Sequence, residues 1–243
     1  MVKAASSKKK EGTIGANFRF ERKFIYENSD LEDVIEGVLT NSFGFKEIFN
    51  RRKVNNIYFD DNNYSFYHQN VSGTGTREKF RLRWYGDDFT KIKNPIFEIK
   101  KKYGEVGDKI SFKINDYALS LKGLSKDEVS ALLSKQILNS NEGLKTKFNQ
   151  LQPTLYSSYE RKYYLSFCGK YRITLDFNQE FFDPNYTNFL MSKMVIDSGE
   201  IVLELKYSLE DDDEARSVSQ EFNTRLTKNS KYVNGVDMIN YNV

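Results

Sequence analysis

The chain has 243 residues, 39% hydrophobic and 15% aromatic, enough for one large domain with a substantial core. Thirty-seven Lys and Arg against thirty-four Asp and Glu leave a net charge of +3, too near neutral for a general nucleic-acid coat, so anion binding would have to come from local placement of charge. A single cysteine, Cys168, and a single histidine, His68, exclude a disulfide framework and a Cys/His zinc site, and argue against Cys-His or Ser-His-Asp nucleophilic machinery. No apolar stretch reaches the ~20 residues of a membrane span, and the N-terminus lacks the apolar centre of a signal peptide. A soluble, cytoplasmic chain is expected, the lone cysteine fitting a reducing compartment.

Residues 1–17 are rich in Lys, Ser and Gly without apolar periodicity and read as a flexible tail, leaving 18–243 as one domain. The segment FRFERKFIY then alternates: Arg19, Glu21 and Lys23 on one face of a strand, Phe18, Phe20 and Phe24 on the other. A helix follows, capped by Ser29 or Asp30, with Leu31, Val34, Ile35, Val38 and Leu39 at helical spacing. His68, in a Tyr-, Asn- and Gln-rich stretch, reads as a surface residue, and GTGT at 73–76 as a turn, because it lacks the Gly-Lys-Ser/Thr ending of a phosphate-binding loop.

Alternation returns in KFRLRWY, where Lys79, Arg81 and Arg83 oppose Phe80, Leu82 and Trp84. It continues with Glu98, Lys100 and Lys102 in IFEIKKK and with Lys109, Ser111 and Lys113 in DKISFKI. A capping box from Ser125 to Glu128 opens a second helix through Val129, Leu132, Leu133 and Ile137. Three more alternating strands carry Tyr159 and Arg161, then Arg172, Thr174 and Asp176, then Glu204 and Lys206. A third helix starts in the acidic run Asp211 to Glu214, suited to the positive end of the helix dipole, and extends through Val218, Phe222 and Leu226.

A sheet with one charged face is ordinarily half exposed to water. Here the charged face carries basic over acidic groups by about three to one although the whole chain is nearly balanced, so cations have been concentrated on it. The expected fold is therefore α+β: an antiparallel β-barrel with helices packed on the outside, apolar residues facing the helices and cations facing a lumen. Crowded like charges need an anionic partner, and a run of phosphates offers acceptor oxygens to Arg forks and Lys ammonium groups. A purely structural ion-pair network is the competing reading.

RLRW at 81–84, EIKKKYGEVGDKISFK at 98–113, YER at 159–161, RITLD at 172–176, LELK at 203–206 and SKY at 230–232 together resemble, in order and spacing, the VTC domain. That is the polyphosphate polymerase domain of vacuolar transporter chaperone proteins, a branch of the triphosphate tunnel metalloenzyme (CYTH-like) superfamily. The resemblance runs from about Phe18 to Gly235. It implies a tunnel in which Arg81, Arg83, Lys100, Arg161 and Lys206 are catalytic and Lys23, Lys113, Tyr159, Arg172, Ser230 and Lys231 bind phosphate. It also implies that Glu204 carries a divalent metal, Mn²⁺ or Mg²⁺; Lys231 enters on resemblance alone. The implied partners are ATP, inorganic phosphate and polyphosphate, with no nucleic acid, and any coupling to a membrane would need a separate protein.

Triphosphatase members of the superfamily typically open with Glu-x-Glu-x-Lys, where this chain has Arg19, Glu21 and Lys23. The loss of one carboxylate makes the metal site sparser and gives less provision for an attacking water, whereas a phosphate-end nucleophile is already ionised and needs no general base. Transfer of the γ-phosphoryl group of ATP to a growing polyphosphate chain is thus the expected activity, with weak discrimination among nucleotides. A metal-dependent triphosphatase and a non-catalytic polyphosphate-binding module are the alternatives. The sequence leaves Glu21, Glu98 and Asp176 open between metal ligands and counter-ions.

Overall fold

The computed structural model describes residues 18–140, 148–185, 196–197 and 199–241; the sequence-predicted tail at 1–17 lies outside them. In chain order the elements are β1 (Arg19–Glu27), α1 (Leu31–Leu39), β2 (Lys46–Asp60), α2 (Ser65–Val71), β3 (Thr76–Tyr85), β4 (Lys91–Lys93), β5 (Ile96–Tyr103) and β6 (Val106–Lys113). There follow β7 (Ala118–Ser120), α3 (Lys126–Ser140), β8 (Gln152–Leu165), β9 (Arg172–Phe182), β10 (Ile196–Asp197), β11 (Glu200–Ser208), α4 (Asp212–Gln220) and α5 (Lys231–Tyr241).

Eight strands hydrogen-bond in the order β9-β11-β1-β6-β5-β3-β2-β8, and β8 pairs with β9 to close the ring; every pairing is antiparallel. Closure pairs the outer strands of the sheet, and the β1–β6 seam is the loosest, with two residue pairs, Arg19 with Gly107 and Phe20 with Val106. The alternation read from the sequence decides what faces where. Phe80, Leu82, Trp84, Phe97 and Ile99 point outward into a cluster with Val129 and Leu133 of α3. On the other side Phe24, Ile173, Leu175, Leu203 and Leu205 pack on Val34, Ile35 and Val38 of α1 and on Val218 of α4. Each fully buried side chain of this size contributes on the order of 1.5–3 kcal/mol, so these two faces hold the ring in shape.

The caps are made by the residue types the sequence offers. Asp30 accepts from the backbone N–H of Glu32 at 2.8 Å, and Ser125 and Glu128 satisfy each other's backbone N–H groups at 3.2 and 2.7 Å. α4 stops at Gln220, shorter than the apolar spacing predicts: Phe222 is buried beyond it, and Leu226 is exposed and bridges Phe24 of β1. Leu39 and Leu132, expected on packing faces, are also exposed.

One end of the ring is covered by α5. Its Tyr232, Val236 and Ile239 pack against Tyr58, Leu155 and Phe181, which stand on the inward faces of β2, β8 and β9. A bulge on β9 between Phe177 and Glu180 lets Asp176 and Phe181 share the inner face despite their odd spacing, and Asn178 there takes a positive φ of 51°. Gly235 is required by this contact, since a Cβ would come within 2.5 Å of Leu155 and 2.6 Å of Phe181. The buried Asp60 carboxylate joins the end of β2 to two helices, accepting from the N–H groups of Phe66 and Tyr67 in α2 and from the Tyr232 hydroxyl at 2.6 Å.

Candidate functional site

Closing the ring turns the charged faces inward around a cavity of about 350 Å³. Of the residues singled out in the sequence, Lys23, Arg81, Arg83, Lys100, Tyr159, Arg161, Arg172, Glu204, Lys206, Ser230 and Lys231 line this one cavity. Lys113 does not. It sits at the exposed end of β6, four residues past Lys109, and β6 reaches the cavity through Gly107, Asp108 and Lys109 instead. Lys231 arrives from a different direction, at the first turn of α5, which carries it into the covered end.

Register explains how distant segments converge. Lys23 lies opposite Glu204 and Glu21 opposite Lys206 on the β1–β11 ladder; Arg81 lies opposite Glu98 and Lys79 opposite Lys100 on β3–β5; Arg161 lies opposite Asp176 on β8–β9. Facing residues with alternate signs hold one another. Glu98 accepts from Arg81 at 2.6 Å and from Lys109 at 2.9 Å, with Arg83 at 3.8 Å. Asp176 takes a two-pronged contact from Arg161 and a second cation, Lys231, at 2.8 Å. Glu204 lies 2.5 Å from Lys206 and 3.6 Å from Lys23, and Glu21 is held by Lys100.

These carboxylates stay ionised. Burial alone would raise Glu21, but Lys100 and the neighbouring lysines bring it down to about 2. Burial would likewise raise Glu204, Asp176 and Glu98; Lys206, Arg161 and Arg81 respectively lead the cations that hold all three well below the usual carboxylate range.

The cations divide into two groups. Arg81, Lys100, Lys109, Arg161, Lys206 and Lys231 are clamped to carboxylates. Arg19, Lys79 and Arg172 line the cavity without a carboxylate partner among the described residues, and Arg83 reaches Glu98 only at long range while donating to Tyr159 at 3.4 Å and Asn56 at 3.3 Å. Lys79 donates to the Ser230 hydroxyl at 2.6 Å; burial, then repulsion from Lys23 and Lys100, pushes its ammonium well below the ordinary lysine range. Burial lowers Lys23 to about 8 against the partial support of Glu204. In all, eleven cations and five carboxylates line the space, and an incoming anion would relieve the excess.

Lys79, Arg19 and Tyr58 are lining residues that the motif matches do not reach, and Lys109 lies inside a matched segment without being singled out as a site residue. Arg19, Lys79 and Lys109 stand on the strand faces already marked by alternation, so the face was the better signal; Tyr58 sits in VNNIYFD, whose inward positions nearest the cavity, Asn56 and Tyr58, are neutral and give no charge pattern.

No group of three or more His, Cys, Asp or Glu side chains suited to a metal occurs among the described residues. Glu21 and Glu204 nevertheless share one ammonium, Lys206, from neighbouring strands, at 3.9 and 2.5 Å. A hard divalent cation in phosphoryl-transfer sites commonly takes only one or two carboxylates, the rest of its shell being phosphate oxygens and water, so the pair fits such an ion bound together with a polyanion.

A closed antiparallel ring around a partly uncompensated cationic lumen, covered at one end by a helix, defines a tunnel protein with a cationic interior. The chain belongs to the VTC domain family, whose model matches residues 18–240. A putative adenylate cyclase from Vibrio parahaemolyticus has the same fold at a TM-score of 0.50 and 13% identity, over 88% of this chain and 97% of that one. A putative adenylyl cyclase from Hippeastrum, described as having a dominant triphosphatase activity, aligns at a TM-score of 0.49 and 10% identity, over 88% and 92% of the two chains. A search of curated proteins finds no match. No helix among the described residues is long and apolar enough to cross a membrane.

Proposed function

We propose that the chain is a polyphosphate polymerase that transfers the γ-phosphoryl group of ATP to inorganic phosphate or to the end of a polyphosphate chain, releasing ADP. The observation that carries this reading is the excess of lumen cations over carboxylates: the carboxylates hold Arg81, Lys100, Arg161 and Lys206 in place around the cavity, and Arg19, Lys79, Arg83 and Arg172 add positive charge that no carboxylate among the described residues closely offsets. The γ-phosphorus leaves the β–γ bridging oxygen and bonds to a terminal oxygen of the acceptor. Arg81, Arg83 and Arg161 neutralise charge on the moving group, and Lys79, Lys100 and Lys206 hold the flanking phosphates.

Phosphate as nucleophile, rather than water, is favoured by the state of the carboxylates. Glu21 at about 2, with Glu204, Asp176 and Glu98 held low by their cations, makes each a poor base for activating water. His68 is exposed on α2 and does not line the cavity. A phosphate terminus needs no proton removed. Glu204, with Glu21, would hold Mn²⁺ or Mg²⁺, which when bound supplies charge neutralisation on phosphate oxygens.

Incubating the purified protein with ATP and Mn²⁺ should give ADP and long-chain polyphosphate resolved on a denaturing gel. Release of free phosphate with no polymer would replace the polymerase with a triphosphatase. Tight polyphosphate binding without turnover under any divalent metal would leave a binding module.

A further inference from the structure

At the end of the ring opposite α5, the inner face changes from charged to aromatic. Arg161 stands across the β2–β8 ladder from Arg52, and two residues further along β8 Tyr163 stands across from Phe49. Three residues of β2 match two of β8 here, and this bulge keeps Phe49 on the same face as Arg52. Tyr85 joins them, two residues past Arg83 on β3.

The Arg52 guanidinium lies 4.8 Å from the ring centroid of Phe49, 5.6 Å from Tyr163 and 5.8 Å from Tyr85. Arg161, deepest in the phosphate site, lies 6.0 Å from the same Tyr163 ring. The tunnel cations and the aromatic group therefore form one continuous surface. Phe49 and Tyr85 remain 49% and 41% exposed, and Arg52 has no carboxylate partner among the described residues. None of these four side chains lines the charged cavity itself.

We propose that Phe49, Arg52, Tyr85 and Tyr163 form a stacking platform for the base of a nucleoside triphosphate whose phosphates occupy the tunnel. The inference rests on the reading of ATP as donor. Two residues of strand separate Arg161 from Tyr163, about 7 Å, a spacing that a ribose can bridge between phosphate and base. Exposed rings and a guanidinium plane present π faces to a flat heterocycle, and such stacking accepts any base because every base has a π face. The platform therefore separates nucleotides from base-free triphosphate without choosing among bases. This fits the weak nucleotide discrimination expected from the sequence.

The test is calorimetric binding of ATP, GTP and inorganic triphosphate, without divalent metal, to the full chain and to Phe49→Ala, Tyr85→Ala and the double variant. Both positions are exposed, so folding is retained, and Tyr85→Phe serves as the conservative control. ATP and GTP should each bind about five-fold or more weakly to the double variant, with inorganic triphosphate unchanged and Tyr85→Phe close to the parent. A parallel loss for all three ligands, no loss for any, or a parent chain that binds inorganic triphosphate but not ATP would overturn the platform. Turnover is scored separately: nucleotide-selective loss in a protein that makes only free phosphate removes the polymerase and leaves the platform standing.

Discussion

Glu98→Gln isolates the counter-ion logic of the tunnel. Glu98 is only 3% exposed and is shared by Arg81 at 2.6 Å, Lys109 at 2.9 Å and Arg83 at 3.8 Å. Glutamine keeps the shape and removes the charge, so Arg81 is left buried without a counter-charge. Removing one partner of a buried pair costs about 3–5 kcal/mol, and the lower end applies here because Lys109 is half exposed and can turn to water. For a domain of this size 1 kcal/mol is about 2–4 °C, so the melting temperature should fall by about 6–12 °C. The same change frees cations for phosphate. Inorganic triphosphate at saturating concentration should therefore stabilise the variant more than the parent and narrow the gap, ligand linkage being worth about 2.7 kcal/mol at a hundredfold excess over Kd. Scanning calorimetry with and without triphosphate reads both effects. A melting temperature within about 2 °C of the parent, or a gap that triphosphate leaves unchanged, would refute the reasoning.

Arg83→Ala removes a cation that no carboxylate depends on closely, so it should lower triphosphate affinity and turnover at least about ten-fold while moving the melting temperature little; an active variant would end its assignment to the moving phosphate. Lys23 titrates near 8 in the fold against 10.5 ordinarily. As pH rises from 8 towards 10.5 the unfolded chain keeps a proton the fold has lost, so stability should rise while triphosphate affinity falls. Calorimetric titrations of Lys23→Gln should show a flatter affinity profile above pH ~8 than the parent. Glu204→Gln should abolish the dependence of turnover on Mn²⁺ concentration together with most of the activity, and unchanged rates at every concentration would remove Glu204 from the metal site. Gly235→Ala forces a methyl to within 2.5 Å of Leu155, an overpacking that should cost about 1–3 kcal/mol beyond the helix-propensity gain and lower the melting temperature by several degrees.

The barrel wall was legible because charge and apolarity alternate cleanly on strands such as β3, and closing such strands leaves only one place for the cations. β2 was not legible: its inward positions near the site are Asn56 and Tyr58, and VNNIYFD offers no charged alternation although it is fully buried. α5 escaped for a different reason. KYVNGVDMINY contains a Gly and two Asn and has a weak apolar stripe, so propensity gives little signal; tertiary contact with Leu155 and Phe181 makes the helix. Of the site itself, the strand faces predicted more than the motifs did. Lys79 lines the cavity outside the quoted motifs and Lys113 lies inside one without lining it, because spacing along a strand does not tell how far the lumen extends.

The four deep carboxylates differ in the cations they hold, and this separates their proposed roles. Glu98 and Asp176 each hold two or three cations on the walls of β3, β6, β8 and α5, and a metal there would compete with Arg forks already in bonding contact. Glu21 and Glu204 hold lysines, whose single ammonium can swing to a phosphate oxygen with little loss of geometry. The exchange of partners has a direction. When a polyanion enters, Lys100 and Lys206 can turn to it, and the carboxylates they release become available together at one spot. Arg19, two residues before Glu21 on β1, adds a cation to the same cavity rather than a further carboxylate. On the proposed function, such a tunnel would serve a reaction in which both donor and acceptor are phosphates.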